Sequence, residues 1–305
     1  MSVKSPFLSV YGHVTIDQII SLAEFPKLNE SVDVVAKKTS LGGTGTNIAV
    51  SAARLGVPTA ICAFVGEDFP SDYIEEIAAS GLNTEELVKV EGTESSQALV
   101  FNNSRLEQKV IFHQGPQGSA SKLGVRLTGL AKESEHVHFC TGDPEYYISI
   151  MQEIRPFPDS ISVDPAQEVY KMWSGGSLNA ALDLADNLFC NEFEAKVIAN
   201  LLGIEDVLDV DKPLVVRTEG SAGSIAKIDG EVVRIPMVKG ERFEDATGAG
   251  DAYRAGFYAG LYNEYSIQES LILASTVSSF VVEKTGALTN IPSWESVLKR
   301  AKPYL

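Results

Sequence analysis

The chain has 305 residues, 44% of them hydrophobic, and a formal net charge of −16. That length and apolar content can bury a sizeable core, as one large α/β domain or as one domain with an appendage. The acidic balance excludes nucleic acid as a partner, because neutralising a phosphate backbone needs clustered Lys and Arg, but it leaves open anionic small molecules gripped locally.

The first predicted element is a strand over 7–11, entered by a mixed run with one lysine and not by a basic region followed by a long apolar one. No secretion signal is therefore expected. Strands over 60–65, 136–140, 160–163, 187–189 and 214–217 follow, each a short β-branched or apolar run. Helical patterns over 46–55, 70–80, 145–154, 192–202, 249–263, 267–283 and 293–303 alternate with them. Alternation of this kind predicts a mostly parallel sheet covered by helices. The longest nearly apolar run, 271–282, carries serines and a threonine and is far short of the ~20 residues of a membrane span. A soluble, cytoplasmic protein with no membrane partner is expected. Cys62, Cys140 and Cys190 are widely spaced, with no CxxC and no His at ligand spacing, and read as buried free thiols.

Two segments break the alternation. Residues 30–40 and 96–114 read as antiparallel strand material with no helix between, enough for a small separate sheet.

Two glycine turns that open helices carry the chemistry. In Asp245-Ala246-Thr247-Gly248-Ala249-Gly250-Asp251, glycines at a helix start let consecutive N–H groups converge where the helix dipole is positive, which suits a phosphoryl group. Asp251 at its mouth would repel that anion unless it serves as a base for an attacking hydroxyl. By itself the segment reads equally well as an ordinary helix start. In Gly42-Gly43-Thr44-Gly45-Thr46-Asn47-Ile48-Ala49, continuing to Arg54-Leu55-Gly56, a second such turn opens a thin alanine-rich helix that Gly56 terminates. A turn and a packed helix explain those glycines, but not Asn47, whose amide falls where it can face a ligand.

This pair of motifs resembles the ribokinase-like (PfkB) family of carbohydrate and nucleoside kinases. Asp17, Asn191-Glu192-Phe193-Glu194, Thr218-Glu219-Gly220-Ser221-Ala222-Gly223 and Gly286-Ala287-Leu288-Thr289-Asn290 extend the resemblance over nearly the whole chain. It implies a three-layer α/β fold, with 1–305 as a single kinase domain and a β-sheet lid from segments about 14–40 and 93–115. Such a lid often serves as a dimer interface, so a homodimer through it is an expectation.

The resemblance further implies ATP as phosphoryl donor. Gly248, Ala249 and Gly250 would hold the migrating phosphoryl, and Asp251 would act as general base, with a low pKa expected for a carboxylate at a helix start. It assigns Asp17, Gly42, Gly43, Asn47 and Asp143 to the acceptor, and Asn191, Glu194, Thr218, Gly220, Gly223 and Asn290 to the nucleotide. Glu194 and Asn191 would hold Mg²⁺, mostly through water. Asp245 and Thr247 match a monovalent cation (K⁺) site, although Asn290 stands where serine is common.

Thr141-Gly142-Asp143-Pro144-Glu145, Asp164-Pro165 and Asp251-Ala252-Tyr253-Arg254-Ala255-Gly256-Phe257 look similar to archaeal nucleoside kinases of this family. The resemblance therefore points to a ribonucleoside accepting phosphate on its 5′-hydroxyl, with Phe101, Phe112 and His113 offered by the lid to the base. A ribokinase or other sugar kinase is the alternative. Arg254 reads either as a substrate pointer or as an ion-pair partner of Asp143 or Asp164. His113 and His138 read as strand-face or core residues, and His13, near Asp17, is undecided. A dinucleotide-binding oxidoreductase fits poorly, since Gly12-His13-Val14-Thr15-Ile16-Asp17 after the first strand is not a G-x-G-x-x-G turn. A non-catalytic sugar-binding relative would lack the base that Asp251 supplies.

Overall fold

The computed structural model describes residues 5–105 and 107–305. Residues 1–4, which begin the segment judged free of a secretion signal, and Leu106, inside the second lid segment, lie outside the described residues.

Seven strands, numbered in chain order with the four of the small sheet being β2, β3, β6 and β7, run parallel: β1 (Leu8–Tyr11), β4 (Thr59–Gly66), β5 (Leu87–Val90), β8 (His136–Phe139), β9 (Ser160–Val163), β10 (Asn187–Asn191) and β11 (Leu214–Thr218). A hairpin, β12 (Ser224–Ile228) and β13 (Glu231–Ile235), adds two antiparallel strands at one edge, giving the order β13-β12-β11-β10-β9-β8-β1-β4-β5. Strands β4 and β8, consecutive within this sheet apart from the edge strand β5, lie on opposite sides of β1. The strand order therefore reverses there, and the C-terminal ends around β1 form the crevice where open α/β sheets bind ligands.

Both faces are covered. On one lie α1 (Thr44–Arg54), α7 (Ala249–Tyr262), α8 (Ile267–Val281) and α9 (Trp294–Ala301), whose apolar residues join Leu8, Val10, Ile61 and Val216 in one core. On the other, α3 (Gly129–Glu133), α4 (Pro144–Ile154), α5 (Gly175–Leu184) and α6 (Glu192–Leu202) enclose Tyr11, Cys62, Phe64, Val137 and Val215. The remaining helix, α2 (Ser71–Ala79), follows β4 and turns Ile77 into the first core. Strand faces feeding both cores explain why β4 is buried along its whole length. All three cysteines are buried and free.

The small sheet has the order β3-β2-β6-β7, with β2 (Thr15–Leu22), β3 (Val34–Gly42), β6 (Ser96–Asn102) and β7 (Gln108–His113). It is not purely antiparallel as its segments suggest: β2 and β6 pair in parallel, because β4, α2 and β5 intervene in the chain and return it in the same direction. Strand β2 falls within the 14–40 lid segment but ahead of the 30–40 strand run, and it carries Asp17. The pattern passed over α3, α5, β5 and the β12–β13 hairpin, elements that are short or lie in polar, glycine-containing surroundings. Among the described residues no helix is long and apolar enough to cross a membrane.

Candidate active site

The parallel strands deliver side chains in sequence to one edge. Just beyond their C-terminal ends stand His13 after β1, Thr141 after β8 and Asp164 after β9, with Asn191 and Thr218 as the last residues of β10 and β11. All five line a cavity of about 470 Å³, roofed by Ala98, Val110 and Phe112 of the small sheet and floored by Gly248, Gly250, Asp251 and Arg254 of α7 and its turn. A second cavity of about 450 Å³ runs between the 218–223 turn, the 237–243 segment and α8. Thr218 and Gly250 line both, so the two cavities meet at the start of α7.

That start is built to receive an anion. Gly248 has φ +75°, a left-handed conformation that glycine adopts freely, and a Cβ there would come within 2.3 Å of Ala287. No side chain caps the helix. The N–H of Ala249 turns back to Ala246 O at 3.1 Å, which removes it from the expected trio of donors. The N–H groups of Gly250 and Asp251 bond to nothing among the described residues. Uncapped donors at the positive end of a fourteen-residue helix attract phosphate.

Asp251 accepts a hydrogen bond from Asn47 Nδ2 at 2.8 Å, so the two glycine motifs, 204 residues apart in sequence, meet side chain to side chain. The low pKa expected for Asp251 is overturned. Burial raises it to about 6, more than the Asn47 hydrogen bond and the nearby Arg254 charge recover. Glu194 is likewise raised to about 7, by burial first and then by the charge of Asp164.

Asp17 faces the same cavity from β2, bonded to Thr15 Oγ1 at 2.5 Å, with burial raising its pKa. Gly42 is what makes room for it: a Cβ at 42 would lie 2.1 Å from Asp17 Oδ2. Gly43, at φ +98°, lets the chain turn from β3 into α1 over His13 O. Gly42 itself is not among the lining residues, whereas Gly43 and Asn47 are.

His13, undecided from sequence, lines the cavity with its ring edge-on to Phe112 at 5.1 Å and Nε2 3.2 Å from Gln114 O. Burial lowers its pKa to about 4, so it stays neutral at physiological pH. Of the aromatic residues assigned to a base, only Phe112 reaches the cavity. Phe101 pairs with Lys109 and His113 with Gln97 on the opposite face, because Ala98↔Phe112 fixes the register and side chains alternate.

Asp143 does not reach the cavity. It caps α4 through Glu145 N and accepts from both Ser121 N and Ser121 Oγ, which occupies its carboxylate structurally. Arg254 pairs instead with Asp164, Nε to Oδ2 at 2.7 Å, both almost fully buried. Burial would raise the Asp164 pKa, but the Arg254 charge beside it outweighs burial and holds the carboxyl below its usual range. His138 lies 3.5 Å from Asp164, yet burial keeps its imidazole neutral, so this contact is no ion pair.

On the donor side, Thr218, Gly220 and Gly223 line the second cavity. Glu219 is turned away into bonds with Arg217 and Arg234. Asn290 lines neither cavity, and its Nδ2 donates to Phe280 O. Asn191 and Glu194 form a reciprocal cap on α6, which leaves Glu194 Oε1 free of hydrogen bonds while both residues face the first cavity. Asp245 accepts from Thr247 N, Thr247 Oγ1 and Gly286 N, tying the 245–247 turn to the 286–290 loop. Sequence reasoning missed Thr141, Gln167 and the whole 237–243 wall. Thr141 belongs to the 141–145 segment but was given no role there, Gln167 and the 237–243 wall sit in no motif, and the sheet's strand order brings them to the crevice.

A model of the pfkB carbohydrate kinase family matches residues 5–294. The chain is 31% identical to a nucleoside kinase of Methanocaldococcus jannaschii, covering 100% of this chain and 99% of that protein. It is 33% identical to one of Methanothermobacter thermautotrophicus, over 98% and 96% respectively. The crystal structure of the Methanocaldococcus jannaschii nucleoside kinase, described as an archaeal member of the ribokinase family, superposes with a TM-score of 0.89 at 29% identity, covering 97% of this chain and 98% of that one.

Proposed function

The chain belongs to the pfkB family of carbohydrate kinases, and we propose that within it this protein is an ATP-dependent kinase phosphorylating the 5′-hydroxyl of a ribonucleoside. The observation that carries this reading is the meeting of an acceptor cavity and a donor cavity at one uncapped helix start beside a buried carboxylate.

In this reading Asp17, Gly43 and Asn47 bind the ribose, and the base lies against Ala98, Val110, Phe112 and the neutral ring of His13. ATP occupies the second cavity along the 218–223 turn. The N–H donors of Gly250 and Asp251 hold the γ-phosphoryl at the junction. Asp251 takes the proton of the 5′-hydroxyl as its oxygen bonds to Pγ, the bond from Pγ to the bridging oxygen breaks, and ADP leaves with the electron pair.

Mg²⁺ dehydrates reluctantly, so in this reading it is held mostly by phosphate oxygens and water. Asn191 and the free Oε1 of Glu194 are the groups to receive Mg²⁺, which would neutralise phosphate charge when bound. K⁺ at Asp245 and Thr247 belongs to the same reading. It predicts lower turnover when K⁺ is replaced by tetramethylammonium, and unchanged turnover removes it.

Ile20, Leu99, Phe101 and Ile111 alternate onto the outer face of the small sheet, which supports a homodimer through the lid; light scattering at micromolar concentration checks it. A cytoplasmic location belongs to the same reading.

The deciding assay couples ADP release to ATP with a panel of nucleosides, ribose and fructose 6-phosphate. At least one ribonucleoside is expected to exceed both sugars tenfold or more in kcat/KM, a difference of about 1.4 kcal/mol. A better sugar replaces the reading with a sugar kinase.

A further inference from the structure

The acceptor cavity is strongly acidic for a site that handles a triphosphate. Asp17, Asp164, Glu194 and Asp251 all line it, and Arg254 is the one lysine or arginine doing so among the described residues. Arg254 stands one helical turn after Asp251 on α7. Helical side chains lean toward the N-terminus, and Arg254 does so: its Nη1 donates to Gly250 O at 3.3 Å. A cation is thereby held at the positive end of a helix, where the dipole disfavours it. A buried ion pair with Asp164 supplies little net stability by itself, so stability does not explain the placement.

The hydrogen-bond inventory of the guanidinium is incomplete in one direction. Nε is fixed by Asp164 at 2.7 Å and Nη1 by Gly250 O, while Phe189 lies under the plane, 5.6 Å from Cζ to ring centroid. Nη2 bonds to nothing among the described residues, and unlike the sealed Asp164 Oδ1 it is not enclosed. Two of its three nitrogens are therefore held, and the third remains available in a side chain that lines the cavity together with Gly250 and Asp251.

We infer that Arg254 is a catalytic residue of the transfer: its Nη2 edge contacts the oxygens of the phosphoryl group in flight, and Asp164 is the positioning residue that aims it. The inference rests on the kinase reading above. As the 5′-oxygen to Pγ bond forms and the bond to the ADP oxygen breaks, charge spreads over the three equatorial oxygens. A preset guanidinium at that point lowers the barrier without reorganising. Its charge also opposes the burial that hinders ionisation of Asp251.

The test is Arg254→Gln, Arg254→Lys and the double variant Arg254→Gln/Asp164→Asn, which removes the pair without stranding a buried charge. Steady-state kinetics are combined with binding of ADP plus aluminium tetrafluoride in the presence of the preferred nucleoside. Arg254→Gln is expected to lower kcat by about 10²- to 10³-fold, to leave nucleoside KM within about threefold, and to weaken the fluoride complex by a factor similar to the kcat loss. Arg254→Lys, which keeps charge but not the fork, recovers part of both. The double variant regains thermal stability but not fluoride binding.

Turnover within about threefold of wild type in Arg254→Gln, or a double variant that regains rate and fluoride binding with stability, overturns the inference. If Arg254→Gln does not fold, the lysine and double variants carry the same comparison. Wild-type enzyme that releases no ADP with any nucleoside or sugar overturns the kinase reading itself, before any variant is measured.

Discussion

At the residue scale, Asp251 shows how a position favourable for ionisation can be overridden. A helix start lowers a carboxylate's pKa, but complete burial raises it further, to about 6. Two outcomes follow from that sign. The base must be ionised, so kcat/KM should fall below a pH near 6, and a flat profile down to pH 5 removes Asp251 as the base. A folded pKa above the unfolded value means that the group favours folding below the unfolded pKa and that this contribution is lost as pH rises through about 6. Asp251→Asn should therefore lower kcat by about two to four orders of magnitude while raising stability at pH 8, with the stability gain disappearing toward pH 4. Denaturant melts at both pH values check the second half. Phe112 is the matching residue for the acceptor: Phe112→Ala should reduce kcat/KM for the best nucleoside by about one to two decades while ribose and the KM for ATP stay unchanged. Equal losses on both acceptors would show that the ring does not meet a base.

At the element scale, α7 can present Gly250, Asp251 and Arg254 only because its opposite face is seated firmly on α8. A Cβ at Gly256 would lie 2.8 Å from Ala274 Cα and 2.9 Å from Val277. The obstacle is backbone, which cannot rotate away, so Gly256→Ala should cost about 1–3 kcal/mol in urea unfolding, with kcat falling as the helix start shifts. A neutral result would mean that the two helices can separate freely. The small sheet illustrates the other periodicity. A register shift of one residue would exchange Phe112 for Ile111 or His113 at the cavity.

At the scale of the whole molecule, the acceptor cavity lies between the large sheet and the small one, so closing the small sheet is the economical way to shield a phosphoryl donor from water. Amide hydrogen exchange in Thr15–Leu22, Val34–Gly42, Ser96–Asn102 and Gln108–His113 should slow when a nucleoside binds, while exchange in α8, whose residues are mostly buried, stays as it was. Unchanged exchange in all four strands would exclude a closing lid.

Six of the seven parallel strands, all but the edge strand β5, are legible in the sequence, as are the two glycine turns and every helix of eight residues or more except α5. Their signals are local: short β-branched runs, a 3.6-residue period, and turns whose backbone only glycine readily adopts. It also brought forward Asp251, Asn47 and Thr218, because each sits in or beside such a turn or strand end, and Asp17 through the family resemblance. What it could not decide is which residues meet. Asn47 reaches Asp251 only because α1 and α7 pack on the same face of the sheet, and Asp164 reaches Arg254 only because β9 ends beneath α7. Asp143 bears the same charge as Asp164 and stands close to it in sequence, yet it caps a helix and misses the cavity. Phe112 and not His113 lines the site through strand parity set by a pairing partner. The pKa of Asp251 was equally out of reach, since it depends on how much water the assembled molecule excludes, and exclusion belongs to tertiary packing alone.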